Sequence, residues 1–320
     1  MARALRAATR GSPLARWQTD HVAHLLEVSA GVEVDPVAVE TAGDRDRESP
    51  IWEIGGRGVF VKEVQAAVLD GRADIAVHSA KDLPSERPPG LVIAAVPTRG
   101  DPRDALVGCR LDDIPTGGTI ATGSVRRRAQ LAALRPDLTF AGLRGNMDTR
   151  LAKAGRFNAI VVAGVALERL GLGDRITEVL DPELMLPQVA QGALAVECRT
   201  ADERTRELLA RIEHAPSRRA VDAERGYLAA LGGGCDLPAG AFAETAGGDS
   251  LRVRALLASL DGSVLLRDEL TGAGAPEALG RRLADRLLGE GGRWLLDESA
   301  IAPAGAPSER APAGAPSGTA

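Results

Sequence analysis

Over the first two hundred residues, short apolar runs alternate with segments of helical periodicity, and this constrains the fold more than any other feature of the chain. Leu5–Ala8 reads as a strand that breaks at Arg10-Gly11. Ser12 is then placed to cap a helix with Pro13 at its first position. A strand over Val32–Thr41, interrupted near Pro36, leads to the amphipathic helix GVFVKEVQAAVLDG, closed by Gly71. ADIAVHS reads as a buried strand, AKDLPSE as a polar loop and Leu91–Val96 as another strand. The pattern then repeats. TIAT is a strand, Ser124 caps a helix through Leu134, and Leu138–Ala141 is a strand. LRGNMDTR turns into a helix with Asn146 or Asp148 near its start, AIVVA is a strand and GVALERLGL a short helix. GALAVECR is a further strand, followed by a charged helix from Asp202 to Glu213. Such alternation implies an α/β fold with mainly parallel sheets.

After Pro216 the character changes. A helix runs to Leu231, then come strands near Ala239–Glu244, Leu251–Ala258 and Ser263–Leu270, and a helix from about Pro276 to Leu288. This reads as a small α+β unit. The end is low in complexity, with APAGAPS occurring twice, and is expected to be a disordered tail. A length of 320 residues suits about two domains, with three also possible. Aromatic content of 2% leaves Leu, Val and Ala to build the core. The net charge of -5 argues against general binding to nucleic acid or anionic membranes.

Cys109, Cys198 and Cys235 are odd in number and far apart, with neither a disulfide framework nor metal-ligand spacing, so a reducing compartment fits best. No apolar run approaches the length of a membrane span. The first nineteen residues carry four Arg and no acid, as transit peptides do, but lack an apolar h-region. A folded-looking motif already starts near Leu5, and the expected location is the cytoplasm.

The basic residues are nearly all arginine, and most loops that follow strands hold one. Arg10 precedes a helix N-terminus. Arg126, Arg127 and Arg128 occupy the first turn after Ser124, Arg144 and Arg150 flank GNMDT, and Arg169 follows GVALE. Cations in a first helical turn oppose the helix dipole, so an anion should offset the cost. At the strand ends of an α/β sheet these forks would line a ligand crevice for carboxylates or phosphates. An arginine-rich surface set by composition is the alternative.

In HSAKDLPSE, Asp82 could stabilise positive charge or move a proton, or could simply shape a turn before Pro84. His78 reads as a structural residue at a strand end, and the few histidines form no dyad with a cysteine. In LGGGCDLPAG, three glycines lead into Cys235. They permit close approach and display a thiol that is either reactive or a small buried hydrophobe. Cys109 and Cys198 lie beside and within strands and fit the second description.

Taken in order, ATRGSPLARWQ, VFVKEVQAAVLDGRADIAVHSAKDLP, SVRRRAQL, LRGNMDTRL, ERLGL, LPQVAQGALAVECR and ERGYLAALGGGCDLP resemble the porphobilinogen deaminases, also called hydroxymethylbilane synthases, over roughly Leu5 to Leu288. The resemblance implies a transferase of tetrapyrrole (heme and porphyrin) biosynthesis. Such an enzyme deaminates four porphobilinogen molecules and joins them head to tail onto a dipyrromethane primer, releasing hydroxymethylbilane. It implies that Cys235 holds this cofactor through a thioether, and that no metal or nucleotide takes part. It implies cofactor contacts from Lys81, Ser124, Arg126, Arg127, Arg144 and Arg169. It also implies substrate contacts from Arg10, Ser12, Arg150 and Gln191, with Asp82 as the catalytic carboxylate. Each ring brings two carboxylates, so the full chain of rings would carry about a dozen negative charges in need of bidentate partners. Loss of ammonia leaves an electron-poor methylene pyrrolenine that the next ring attacks. Positive charge develops on pyrrole nitrogens, where an Asp accepting N–H hydrogen bonds stabilises it.

The implied fold has two lobes like those of a periplasmic binding protein, joined by a double crossover, plus a small α+β C-terminal domain. Residues 1–98 and 191–213 would form the first domain, 99–190 the second, 214–299 the third carrying Cys235, and 300–320 the tail. The expected state is a monomer. The sequence departs from the family's usual pattern at Arg57, Ala80, Asp236 and the ATGSVRRR segment. A two-lobed anion-binding module would account for the arginines but not for Cys235, Asp82 or the third unit. A phosphate-handling transferase fails for want of a P-loop.

Overall fold

The computed structural model describes residues 3–45, 58–234 and 237–301. Cys235, Asp236, Arg57 and the low-complexity tail lie outside the described residues. In chain order the strands are β1 (Leu5–Arg10), β2 (Val34–Val39), β3 (Ile75–Ser79), β4 (Leu91–Ala95), β5 (Asp104–Gly108), β6 (Thr119–Ala121), β7 (Thr139–Ala141), β8 (Ala159–Ala163), β9 (Glu178–Val179), β10 (Leu194–Arg199), β11 (Ala239–Thr245), β12 (Leu251–Ala258) and β13 (Leu265–Gly272).

The first sheet has the order β2-β1-β3-β10-β4 and the second β7-β6-β8-β5-β9. In the first, β1 is parallel to β2 and β3, while β10 is antiparallel to both β3 and β4. In the second, β6 is parallel to β7 and β8, while β5 is antiparallel to β8 and β9. Both lobes thus share one plan, and the chain passes between them twice. The sheets are mixed where mainly parallel ones were expected. The reason is topological. The chain leaves each lobe from the end of a strand that runs toward the neighbouring lobe. It enters the next lobe from that same side, so its first strand there must run away.

Local sequence explains most element boundaries. Ser12 caps the helix Pro13–Ala30, its Oγ accepting from Ala15 N at 3.3 Å. That helix buries Val22 and Leu26 against Leu5, Ile75, Val77 and Val196 of the first sheet, each worth about 1.5–3 kcal/mol. Pro36, expected to interrupt its strand, does not: β2 is the edge strand, so the missing N–H leaves no partner unsatisfied. The helix within GVFVKEVQAAVLDG starts only at Lys62 and runs to Leu69. The charged helix covers Glu203–Ala210, with Asp202 as its cap. The strand beside Cys109 is β5, and the two-residue β9 has no signature in the sequence.

The third unit is an antiparallel sheet of β11, β12 and β13, packed under helices Ala215–Ala230 and Pro276–Leu287. Buried Tyr227 sits at its centre and donates its hydroxyl to Leu256 O at 2.8 Å. The helix expected from about Pro276 to Leu288 ends at Leu287, and after a kink at Gly291, where φ is +110, a further helix that was not expected covers Arg293–Ile301.

This third unit grips both crossover segments. Glu224, fully buried on the helix Ala215–Ala230, takes a bidentate ion pair from Arg99 at 2.6 and 3.1 Å. The same carboxylate accepts from Ala190 N at 2.6 Å and Ala243 N at 2.8 Å. The two segments also touch directly, Gly100 N donating to Gly192 O at 3.1 Å. Gly192 has φ +87, and a Cβ there would come within 2.5 Å of Gly100 O, so no side chain fits the crossing.

Candidate functional site

The end of the second sheet that faces the crossovers is built around one carboxylate. Asp104, the first residue of β5, is fully buried. Its Oδ2 accepts from Arg126 Nη2 at 2.7 Å. Its Oδ1 accepts from Arg127 Nε at 3.0 Å and Nη2 at 2.8 Å, and from Gln191 Nε2 at 2.8 Å. Both arginines lie in the first turn of the helix Val125–Leu134, whose cap is Ser124 with Oγ accepting from Arg127 N at 3.4 Å. Arg126 is 1% exposed and also donates to Leu186 O. Its Nε has no acceptor among the described residues. Arg127 also reaches Val161 O at 3.2 Å. The anion expected to offset cations in this first turn is thus in part the chain's own Asp104, a residue that sequence reasoning missed.

Gln191 carries the cluster across to the first lobe. Its Oε1 accepts from Arg127 Nη2 at 3.3 Å and from Lys81 Nζ at 3.2 Å, while its Nε2 also donates to Pro102 O at 2.7 Å. Lys81 stands in the turn Ala80–Asp82 immediately after β3, which the bond from Ala80 N to Ala193 O at 3.0 Å ties to the second crossover. Burial, Arg127 and Arg150 push the Lys81 ammonium down to about 8, against the pull of Asp82 and Asp104. Burial raises the cost of ionising Asp104, but Arg126 and Arg127 outweigh it and hold the carboxyl at about 2. Burial also pushes the Arg126 guanidinium down, with Asp104 opposing.

Asp82 is half-buried and lines a recess with Arg10, Ser12, Gln18, Phe60, His78 and Ser79. A contiguous recess, sharing Leu14, Gln18 and Ser79, is walled on the second-lobe side by Ala163, Val165 and Arg169, with Lys81 and Gly192 at its base. The two recesses together form the cleft between the strand ends of the lobes. Arg10 pairs with Asp44 through Nε at 3.1 Å and lies 4.2 Å from the centre of the Phe60 ring. Arg169 donates to Gly192 O at 2.7 Å and lies 5.3 Å from the Trp17 ring, and burial pushes it down to about 10. Arg150 donates to Gly145 O at 2.8 Å, and burial with Arg127 pushes it down to about 10. Arg144 is a half-buried charged neighbour of Arg150.

The structure therefore gathers Lys81, Asp82, Arg126, Arg127, Arg150 and Gln191 at one junction. Arg10 and Ser12 flank the first-lobe side and Arg169 the second. Ser12 and Ser124 both act as helix caps. Cys235 is outside the described residues, but Gly240, shortly beyond it, is pressed against this junction. A Cβ on Gly240 would lie 2.8 Å from Pro187 O and 3.2 Å from Arg126 Cδ. His78, expected to be structural, is buried on β3 with Nε2 3.1 Å from Glu197 Oε2. Cys198 is buried and Cys109 half-buried. Among the described residues no group of acids, histidines and cysteines could hold a metal ion, and no helix is long and apolar enough to cross a membrane.

The donor set fits a polycarboxylate such as a dipyrromethane. Among the described residues, four cations, Lys81, Arg126, Arg127 and Arg150, interact with the carboxylates of Asp104 and Asp82, leaving two positive charges in excess in this group. Each of Lys81, Arg126 and Arg150 holds its proton less tightly than it would in water. A bound anion would reverse that cost, and the orphaned Arg126 Nε is a further donor.

Comparison with known proteins gives two kinds of match. Among solved structures, an ABC transporter periplasmic substrate-binding protein from Coxiella burnetii is 14% identical, with 67% of this chain and 93% of that one covered and a TM-score of 0.42. The methionine-binding protein MetQ is 12% identical, covering 68% and 90%, with a TM-score of 0.41. Far greater similarity is found to porphobilinogen deaminases from two strains of Nitratidesulfovibrio vulgaris. Each is 46% identical over 299 residues, covering 91% of this chain and 95% of the relative. Residues 5–207 match the family model described as "Porphobilinogen deaminase, dipyromethane cofactor binding domain", and residues 219–289 that of the "Porphobilinogen deaminase, C-terminal domain". Matches of this extent, over a cleft charged for carboxylates, make the chain a member of the porphobilinogen deaminase family of transferases, with that family's dipyrromethane cofactor binding domain.

Proposed function

We propose that the cleft between the two lobes joins four porphobilinogen molecules head to tail onto a dipyrromethane held by Cys235, with release of ammonia. The observation that carries this reading is the excess of buried cations over carboxylates where Lys81, Arg126, Arg127 and Arg150 converge. The attached dipyrromethane supplies the ring carbon onto which the first substrate is joined. Lys81, Ser124, Arg126, Arg127, Arg144 and Arg169 would hold its carboxylates and polar groups, and Arg10, Ser12, Arg150 and Gln191 those of incoming substrate. Both capping serines retain a hydroxyl proton to donate while their oxygens accept from the helix.

Asp82 would accept hydrogen bonds from pyrrole N–H groups as positive charge develops there, and would move the proton that each cycle releases. Its place in the turn after β3 supports this role, because that turn sets it on the lining of the recess beside Arg10 and Ser12. Residues 1–98 with 191–213, 99–190 and 214–299 would act as three domains. The enzyme would work as a monomer in the cytoplasm, with porphobilinogen as its substrate and water adding to the chain that is released.

The decisive measurement is the intact mass of the purified protein together with a pyrrole-reactive colour test. A mass above the sequence value by one dipyrromethane, abolished in Cys235→Ser, is the expected result. Unmodified Cys235 in protein from pyrrole-producing cells would overturn the reading. Size-exclusion chromatography with light scattering tests the monomer.

A further inference from the structure

Asp104 and the three residues bonded to it, Arg126, Arg127 and Gln191, lie behind the two recesses of the cleft, and Gln191 reaches the lining at Lys81. The Oδ1 of Asp104 takes three hydrogen bonds, two from Arg127 and one from Gln191, and its Oδ2 takes one from Arg126. The Gln191 bond has a directional consequence. A carboxamide has one donor end and one acceptor end. With Nε2 held by Asp104 and Pro102 O, Oε1 must face Arg127 and Lys81. One buried carboxylate thus sets the direction of a guanidinium fork directly and of an ammonium at one remove. It also joins four pieces of chain: β5, the helix Val125–Leu134, the second crossover and the turn after β3.

We propose that Asp104 is a positioning residue for the reaction, aligning Arg127 directly and Lys81 through the Gln191 carboxamide. This rests on the functional reading above and adds to it a group that does not contact substrate. A buried network of this kind holds one geometry, because each alternative leaves further polar groups unpaired. Asp104 has a second effect on Lys81, by charge. Among the charged groups that act on Lys81, Arg127 and Arg150 favour its neutral form, and Asp82 and Asp104 favour the ammonium. Removing Asp104 takes away one of these two favourable carboxylates.

The test exploits composition. The chain has three lysines, Lys62, Lys81 and Lys153, so competitive labelling with acetic anhydride across pH, read by peptide mass spectrometry, assigns a titration midpoint to Lys81. In Asp104→Asn that midpoint should move to lower pH by roughly one pH unit. The alkaline limb of the rate–pH profile should move with it. Gln191→Glu gives up the donor to Asp104 and places a second carboxylate beside Lys81 and Arg127; Asp104 opposes its ionisation, but in the alkaline range where Lys81 titrates it is charged and should move both to higher pH. The opposite signs separate positioning and charge from mere loss of structure. Gln191→Glu also keeps the test available if Asp104→Asn fails to fold. Midpoints unchanged in both variants, or moving in one direction in both, would overturn the proposal. Labelling needs neither turnover nor attached dipyrromethane. An inactive wild-type protein would therefore count against the functional reading and leave the labelling result standing.

Discussion

The two lobes share a strand order and a pattern of directions, but they treat charge in opposite ways. In the second lobe, Arg126 and Arg127 are buried at the base of a helix and locked onto a fully buried carboxylate. In the first, Arg10 pairs with Asp44 where both side chains keep more than a fifth of their surface in solvent. Among the described residues that line the recess on that side, Asp82 is the acid, and it sits half-buried. The same scaffold thus carries a pre-set electrostatic anchor on one side and an accessible acid–base group on the other. Sheet topology fixes where strand ends point. Residue choice at those ends decides whether they hold a ligand or act on it.

The largest expected effect tests the accessible side. Asp82→Ala should reduce turnover by about 10²- to 10⁴-fold, with the dipyrromethane mass and the urea midpoint retained. A near-native rate would remove Asp82 from the chemistry and dissolve the contrast. On the anchored side, Asp104→Ala leaves buried guanidiniums without their counterion and should cost about 3–5 kcal/mol of stability in urea unfolding.

Acid gives a gentler version of the same experiment. The Asp104 carboxyl lies at about 2 in the folded protein against an ordinary value of 3.8. Its stabilising contribution is therefore complete above about pH 4 and is lost as pH falls through 2. The amount is about 2 kcal/mol. Asp104→Asn should flatten this part of the stability–pH curve, and a curve as steep as that of the wild type would show that other carboxylates govern it. The smallest effect belongs to Asp44→Ala. That half-buried carboxylate, which also accepts from Thr41, should contribute about 1–2 kcal/mol, and a loss as large as that of Asp104→Ala would mean that the two lobes are anchored alike.

Much of this was legible in the residues. Apolar periodicity located β1, β3, β4, β6, β8 and β10, and Ser12 and Ser124 marked two helix starts because capping chemistry is local. Strand direction was not legible, since a buried strand has the same composition whichever way it runs. The antiparallel sense of β5 and β10 came only from the path between lobes. The arginines announced an anionic partner, but not that part of the anion was internal. Asp104 precedes a short apolar run, as many loop residues do, and nothing local distinguishes it. The available signal was an acid opening a buried strand at the same sheet end as a cluster of arginines. Glu224 was hidden similarly, as one acid in a charged helix whose partners Arg99 and Ala190 are remote in sequence.

The position of β10 bears on how the chain is made. It lies between β3 and β4 in the first sheet, although it is synthesised after every strand of the second. On the ribosome, β1, β2 and β3 emerge early and can pair, but β4 has no neighbour until residues 194–199 follow. The amino-terminal lobe is thus the first begun and the second completed, and throughout elongation of the intervening lobe its nascent sheet keeps an open edge along β3. A truncated chain ending before residue 194 should accordingly be the aggregation-prone species, whereas one extended past 199 can close that edge.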